Sequence, residues 1–129
     1  MSDTKQEMVE DIREIRGEDC AILRLVLKGK WYDMIAHGDK RQEYRDYTQY
    51  WKTRIDRWVD ERKRGKLLVV GFSRGYRNAD LFFNTWKIPV VVSKGAVFAE
   101  WGEPPTPHFA IYLDKRVYPK WAVPPEGWK

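Results

Sequence analysis

The apolar residues of this chain come in short, branched clusters rather than long runs, and that limits the folds open to it. Stretches such as LLVV at Leu67–Val70 and IPVVV at Ile88–Val92 are far shorter than the roughly 20 residues a helix needs to cross a bilayer. Bounded by glycine, proline and charge, they read instead as strands that must find partners elsewhere in the chain. With 129 residues there is room for one domain with a single core. A hydrophobic content of 43% against 33% charged residues supports a folded domain over a disordered one.

Periodicity assigns the elements. Met8, Ile12 and Ile15 have the spacing of a short amphipathic helix, ended by Gly17. CAILRLVL (Cys20–Leu27) is a largely buried strand with Leu23, Leu25 and Leu27 on one face and Cys20 in the core at its start. Lys30–His37 follows as a two-turn helix with Trp31, Met34 and Ile35 on its buried side and Gly38 as its left-handed cap. Asp39–Tyr47 has neither periodicity and is a loop or an edge strand. Thr48 caps a longer helix running to about Arg64, with Trp51, Ile55, Trp58 and Val59 buried and Gly65 closing it. LLVVGF (Leu67–Phe72), VVV and HFAIYL are strands, RGYRNAD is a turn, and GEPPTPH and VPPEG are proline-rich connections. Early helices with strands closing late predict an α+β domain built on a small mixed β-barrel.

Several kinds of chemistry are disfavoured. His37 and His108 are the only histidines, far apart and without ligand-spaced partners, so no metal is expected, and no cofactor motif such as a glycine-rich phosphate loop follows a strand. Cys20 stands alone, which fits a reducing compartment. The charged N-terminus lacks an apolar signal region, so a cytoplasmic location is expected, without membrane association. Ser73 in GFSRG has no evident histidine partner and is read as chance.

Charge is unevenly placed. The total is +5, yet residues 1–19 carry seven acidic and three basic side chains, whereas Lys40–Lys66 carries ten basic and five acidic. Such a basic segment suits a polyanion such as RNA, although Asp56, Asp60 and Glu61 alternate with the cations as on an ordinary solvated helix face. Within it, Lys40, Glu43 and Arg45 form a compact polar cluster: the cations offer donors to an anion or carbonyl, and Glu43 orients them or accepts from a ligand. An extended backbone puts Glu43 and Arg45 on one side; a helical turn puts Lys40 beside Glu43 instead. The bland alternative is a surface salt bridge of little worth. Tyr44 is a candidate stacking ring, and Trp86 and Trp101 come from later segments. SRGYRN (Ser73–Asn78) adds Arg74, Tyr76 and Arg77 as a second group able to contact phosphate or a base.

At this cluster the sequence resembles the ASCH domain family of the PUA-like superfamily, in small bacterial or phage members. The matching stretch is LVLKGKWYDMIAHGDKRQEYRDYTQYW (Leu25–Trp51), with the G-x-K-x-x-E-x-R signature at Gly38, Lys40, Glu43 and Arg45, followed by VVGFSRGY and AEWGEPPTPHFAIYL. The resemblance implies a PUA-like barrel with flanking helices over residues 20–117, preceded by an acidic helical segment (1–19) and followed by a Pro/Trp-containing tail (118–129) packed on it. It further implies binding of RNA, single-stranded nucleic acid or a modified nucleoside or nucleotide in a cleft at the signature. One branch of the family hydrolyses the acetyl amide of N4-acetylcytidine, using a lysine and a threonine three residues later. Lys40 matches the lysine, Glu43 occupies the threonine position, and these two would be the catalytic pair if the chain were such an enzyme.

Overall fold

The computed structural model describes residues 13–85, 87–93 and 107–120. In order these form β1 (Arg13–Arg16), a 3-10 turn (Gly17–Asp19), β2 (Cys20–Leu27), α1 (Gly29–Ala36), β3 (Gln42–Asp46), α2 (Gln49–Asp60) with a 3-10 extension (Glu61–Arg64), β4 (Leu67–Arg74), β5 (Leu81–Thr85), β6 (Val90–Val92) and β7 (His108–Lys120). Among the described residues no helix is long and apolar enough to cross a membrane.

The strands join one seven-stranded mixed sheet with the path β1-β7-β5-β4-β2. β7 is its hub. The N-terminal half of β7 is flanked by β3 and β6, both antiparallel, and its C-terminal half by antiparallel β5 and parallel β1. β2 runs parallel to β4 along its whole length, from Cys20 opposite Leu67 to Leu27 opposite Arg74. The α+β class is as expected, but the sheet does not close into a barrel: among the described residues no ladder joins β2 to β3 or β1. Across that opening a side chain takes the place of a ladder, with Arg45 Nη2 of β3 donating to Val26 O of β2 at 3.3 Å.

The core follows the alternation of the strands. Leu23, Leu25 and Leu27 of β2, Val70 and Phe72 of β4, Phe83 of β5 and Phe109, Ile111 and Leu113 of β7 share one buried cluster, closed by Ile35 of α1 and Ile55 and Trp58 of α2. The opposite face holds a smaller cluster of Cys20, Val69, Ala79, Phe82 and Val117, so the centre of the sheet is covered on both sides. Gly71 belongs to this arrangement, because a Cβ there would stand 2.8 Å from the Phe82 ring. Cys20 is buried with its thiol toward Gly17 O, and burial pushes the thiol pKa up, away from reactivity.

The helix ends lie at the residues that punctuate them in the sequence. Thr48 Oγ1 accepts from Trp51 N at the start of α2, and Gly38 and Gly65 take left-handed φ values of 80° and 79° where α1 and the α2 extension end. One expectation needs correction. Ile15, expected on a helix with Met8 and Ile12, lies in β1, whose ladder with Val117–Lys120 overrides a weak local spacing; Met8 and Ile12 lie outside the described residues. β5 carries no sequence signal of its own, because Leu81, Phe82, Phe83 and Asn84 are all buried and show no alternation. The sheet also crosses the expected boundaries at 19/20 and 117/118, since it includes β1 and runs to Lys120.

Candidate functional site

The signature residues converge because α1 ends abruptly. At Gly38 the chain turns back, and Asp39 N and Lys40 N both donate to Met34 O (2.8 and 3.1 Å), which aims Lys40 along the start of β3. β3 is extended and pairs Glu43 with Ile111 and Arg45 with Phe109, so both side chains lie on the sheet face that carries the main core. Lys40 precedes the strand and reaches the same carboxylate. Both sequence geometries are thereby realised at once.

Glu43 is divided between two cations. Lys40 Nζ donates to Glu43 Oε1 at 2.9 Å and to Gln42 O at 2.6 Å. Arg45 donates to the other oxygen, Oε2, from Nη2 at 2.7 Å and from Nε at 3.1 Å. Lys40 and Glu43 are only 4% and 5% exposed, so this is a buried ionic cluster and not the exposed salt bridge of little worth. Arg45 sits at its outer end, its side chain 18% exposed and its guanidinium carbon 5.0 Å from the centre of the Trp51 ring. The cluster carries one more positive than negative charge, and the surplus faces outward at Arg45.

Tyr44, the candidate stacking ring, is half-buried. Its hydroxyl donates to Gln42 Oε1, its face lies 5.0 Å from Lys40 Nζ, and its edge meets buried His108 at 5.1 Å. It helps wall in Lys40, as does Trp31.

The second predicted group is the turn after β4. Gly75 (φ 74°) turns the chain, and its N–H donates to Leu27 O at the end of β2. Arg74 reaches back over Gly29, where a Cβ would stand 2.5 Å from its guanidinium, and pairs with Asp33 of α1 at 3.3 Å. Arg77 pairs with Asp80, which in turn accepts from the Tyr32 hydroxyl at 2.7 Å. The arginines are thus braced against α1, while Tyr76 stands 99% exposed between them. Arg45 and Arg74 meet the same end of β2, at Val26 and Leu27. Trp86, Trp101 and most of the proline-rich connection at 102–108 lie outside the described residues.

Burial, and after it the hydrogen bond to Asp80, pushes the Tyr32 hydroxyl up to about 12. The folded state holds this proton more tightly than an unfolded chain does, so its contribution to stability is fully present below the ordinary value of 10.0 and is lost as pH rises toward about 12. Urea denaturation at about pH 9 and about pH 11 should therefore show a larger alkaline loss for the wild type than for Tyr32→Phe. Equal losses would contradict this account.

Sequence reasoning missed how the basic helix divides. Lys52 pairs with Asp56 (2.8 Å), Lys63 with Asp60 (3.3 Å), and Arg64 and Lys66 both with Glu61. For these four the solvated-face reading holds. Arg54 and Arg57 have no carboxylate partner among the described residues. Arg54 instead stacks on Tyr50 and Trp51, with its guanidinium carbon 5.4 and 5.6 Å from the ring centres.

The architecture is that of an α+β domain with an open mixed sheet and a buried, net-cationic side-chain cluster at one end. Comparison with protein-family models, with curated proteins and with solved structures finds no match to this chain.

Proposed function

We propose that the chain is a PUA-like, ASCH-type domain that binds RNA or a nucleotide-like ligand at the end of the sheet where Arg45 emerges. The observation that carries this reading is the sharing of one carboxylate, Glu43, by two cations, which gives the trio a net positive charge with the partly exposed Arg45 guanidinium at its outer end beside an indole ring. Such a guanidinium suits a phosphate or a base carbonyl, and Trp51 supplies an aromatic neighbour. Arg74, Tyr76 and Arg77 at the same end of β2 extend the contact. Lys40 and Glu43 then act by holding Arg45 in place, without meeting the ligand themselves.

The test is a salt series of fluorescence anisotropy with a short, mixed-sequence single-stranded RNA. Arg45→Met should weaken binding about tenfold and lower the dependence of affinity on salt by about 0.7 in logarithmic slope for the phosphate it releases. Wild-type binding indifferent to salt, or unchanged by the substitution while the variant remains folded, would overturn the reading. Hydrolysis of an acylated nucleoside such as N4-acetylcytidine is less favoured, because Lys40 donates to Gln42 O and Glu43 within a buried cluster. Acetate release from N4-acetylcytidine by the purified protein would reverse that order.

A further inference from the structure

Beside the cluster, on the flank where α2 packs along β2, lies an open groove of about 460 Å³ that none of the sequence motifs marks. It is lined by Trp58 and the β2 residues around Ile22, together with Arg24 from β2 and Arg54 and Arg57 from α2. Arg54 and Arg57 are three apart and so project from one side of the helix. Among the described residues none of the three arginines pairs with a carboxylate. The one acidic side chain at the groove, Glu61, is already engaged by Arg64 and Lys66.

This selection is what makes the groove distinctive. The acidic side chains of α2 and its extension pair with Lys52, Lys63, Arg64 and Lys66, while the cations that line the groove are arginines, whose forked donors match phosphate oxygens. One ring links the groove to the proposed site. Arg54 stacks on Trp51, the same ring that carries Arg45, and Tyr50 extends the series with 62% exposure. Trp51 thus stands between Arg45 and Arg54, and Arg54 shares the groove with Arg57 and Arg24, so cations and aromatic faces lie along one side of the molecule. That is the pattern suited to a single strand, with phosphates on the guanidiniums and a base on an exposed ring.

We infer that this groove is the track for successive phosphates of a single-stranded RNA whose terminal or neighbouring nucleotide sits at Arg45, with a base stacking on Tyr50. The inference rests on the reading of the Arg45 end as a nucleotide site and extends it by giving the strand a direction, along α2 rather than across the turn at Tyr76. It also requires an oligonucleotide longer than one nucleotide to bind more tightly than a mononucleotide.

The experiment compares three proteins on a labelled fifteen-residue oligouridine RNA and on uridine monophosphate: wild type, the groove variant Arg24→Ala/Arg54→Ala/Arg57→Ala, and a control, Lys52→Ala/Lys63→Ala, that removes cations already paired with carboxylates. The groove variant should lose about two units of logarithmic salt slope on RNA, three contacts at about 0.7 each. It should keep its affinity for the mononucleotide, and the control should remain within about twofold of wild type on RNA. Tyr50→Ala should weaken RNA binding without changing the salt slope, because it removes a stacking contact and no charge. Equal losses in groove variant and control would show that net charge alone is at work, and an unchanged groove variant would place the strand elsewhere; either overturns the groove while leaving Arg45 standing. Absence of binding by the wild type to both probes overturns the nucleotide reading itself, and the groove with it.

Discussion

Replacing Glu43 with alanine lowers the stability of the folded domain by about 3–5 kcal/mol, the cost of leaving a buried cation without its counter-charge. The expectation follows from the sharing of one carboxylate by Lys40 and Arg45, with Lys40 4% exposed and held among Trp31, Tyr44 and the Gln42 carbonyl. The same geometry predicts an asymmetry. Lys40→Met leaves Glu43 bonded through Oε2 to Arg45 and is milder than Glu43→Ala. Converting all three members to apolar residues, Lys40→Met, Glu43→Leu and Arg45→Met, restores much of the lost stability, because no charge then remains to be desolvated. If the cluster serves ligand binding, this triple variant folds and yet has lost its RNA affinity. Urea denaturation of the series decides the matter: a loss below about 1 kcal/mol for Glu43→Ala would show that water reaches Lys40 and that the cluster is not buried in solution.

Trp58→Ala should be nearly as damaging, at about 3–5 kcal/mol, from the cavity it leaves between α2 and the sheet. Trp58 is 5% exposed, packs with Ile55 on the buried stripe of α2, and donates from Nε1 to Ala21 O of β2 at 2.8 Å. Trp58→Phe keeps most of the ring and loses the hydrogen bond, costing about 1 kcal/mol. The pair of substitutions therefore separates packing from hydrogen bonding at the joint between helix and sheet. Similar losses for the two would mean that the indole N–H, and not the bulk of the ring, holds α2 in place.

The sequence was most readable where one element carried its own punctuation. Thr48, Gly38 and Gly65 mark helix ends through side-chain capping and left-handed backbone, which depend on a few neighbouring residues. Leu23, Leu25 and Leu27 reveal the inner face of β2 by alternation alone. What was not readable depended on distant partners. β1 exists because Val117–Lys120 offers it a ladder, and β5 is buried on both faces, which erases alternation. The site divides in the same way. Lys40, Glu43 and Arg45 were marked by their spacing, but their burial was not, because it requires a neighbouring helix and strand to cover them. Arg54 left a faint trace, having no acidic residue three or four positions away; Arg57 left none, since Asp60 and Glu61 stand at helical spacing and are held by other cations. Arg24 comes to them only through the docking of α2 on β2.

The central role of β7 has a consequence for how the protein is made. Four strands depend on it, including β1 at Arg13–Arg16, and its own last paired residue is Lys120. During synthesis β2, β4 and β5 emerge before it and already hold one another's ladder partners, whereas β1, β3 and β6 must wait for it. The sheet is therefore complete only once residue 120 has left the ribosome, and until then the core places of Phe109, Ile111 and Leu113 are unfilled. Pairings as remote as Arg13 with Val117 also place refolding in the slower, millisecond-to-second regime of non-local topologies. The last described strand to be made is thus the one that joins the others, and the fold is closed from its C-terminal end.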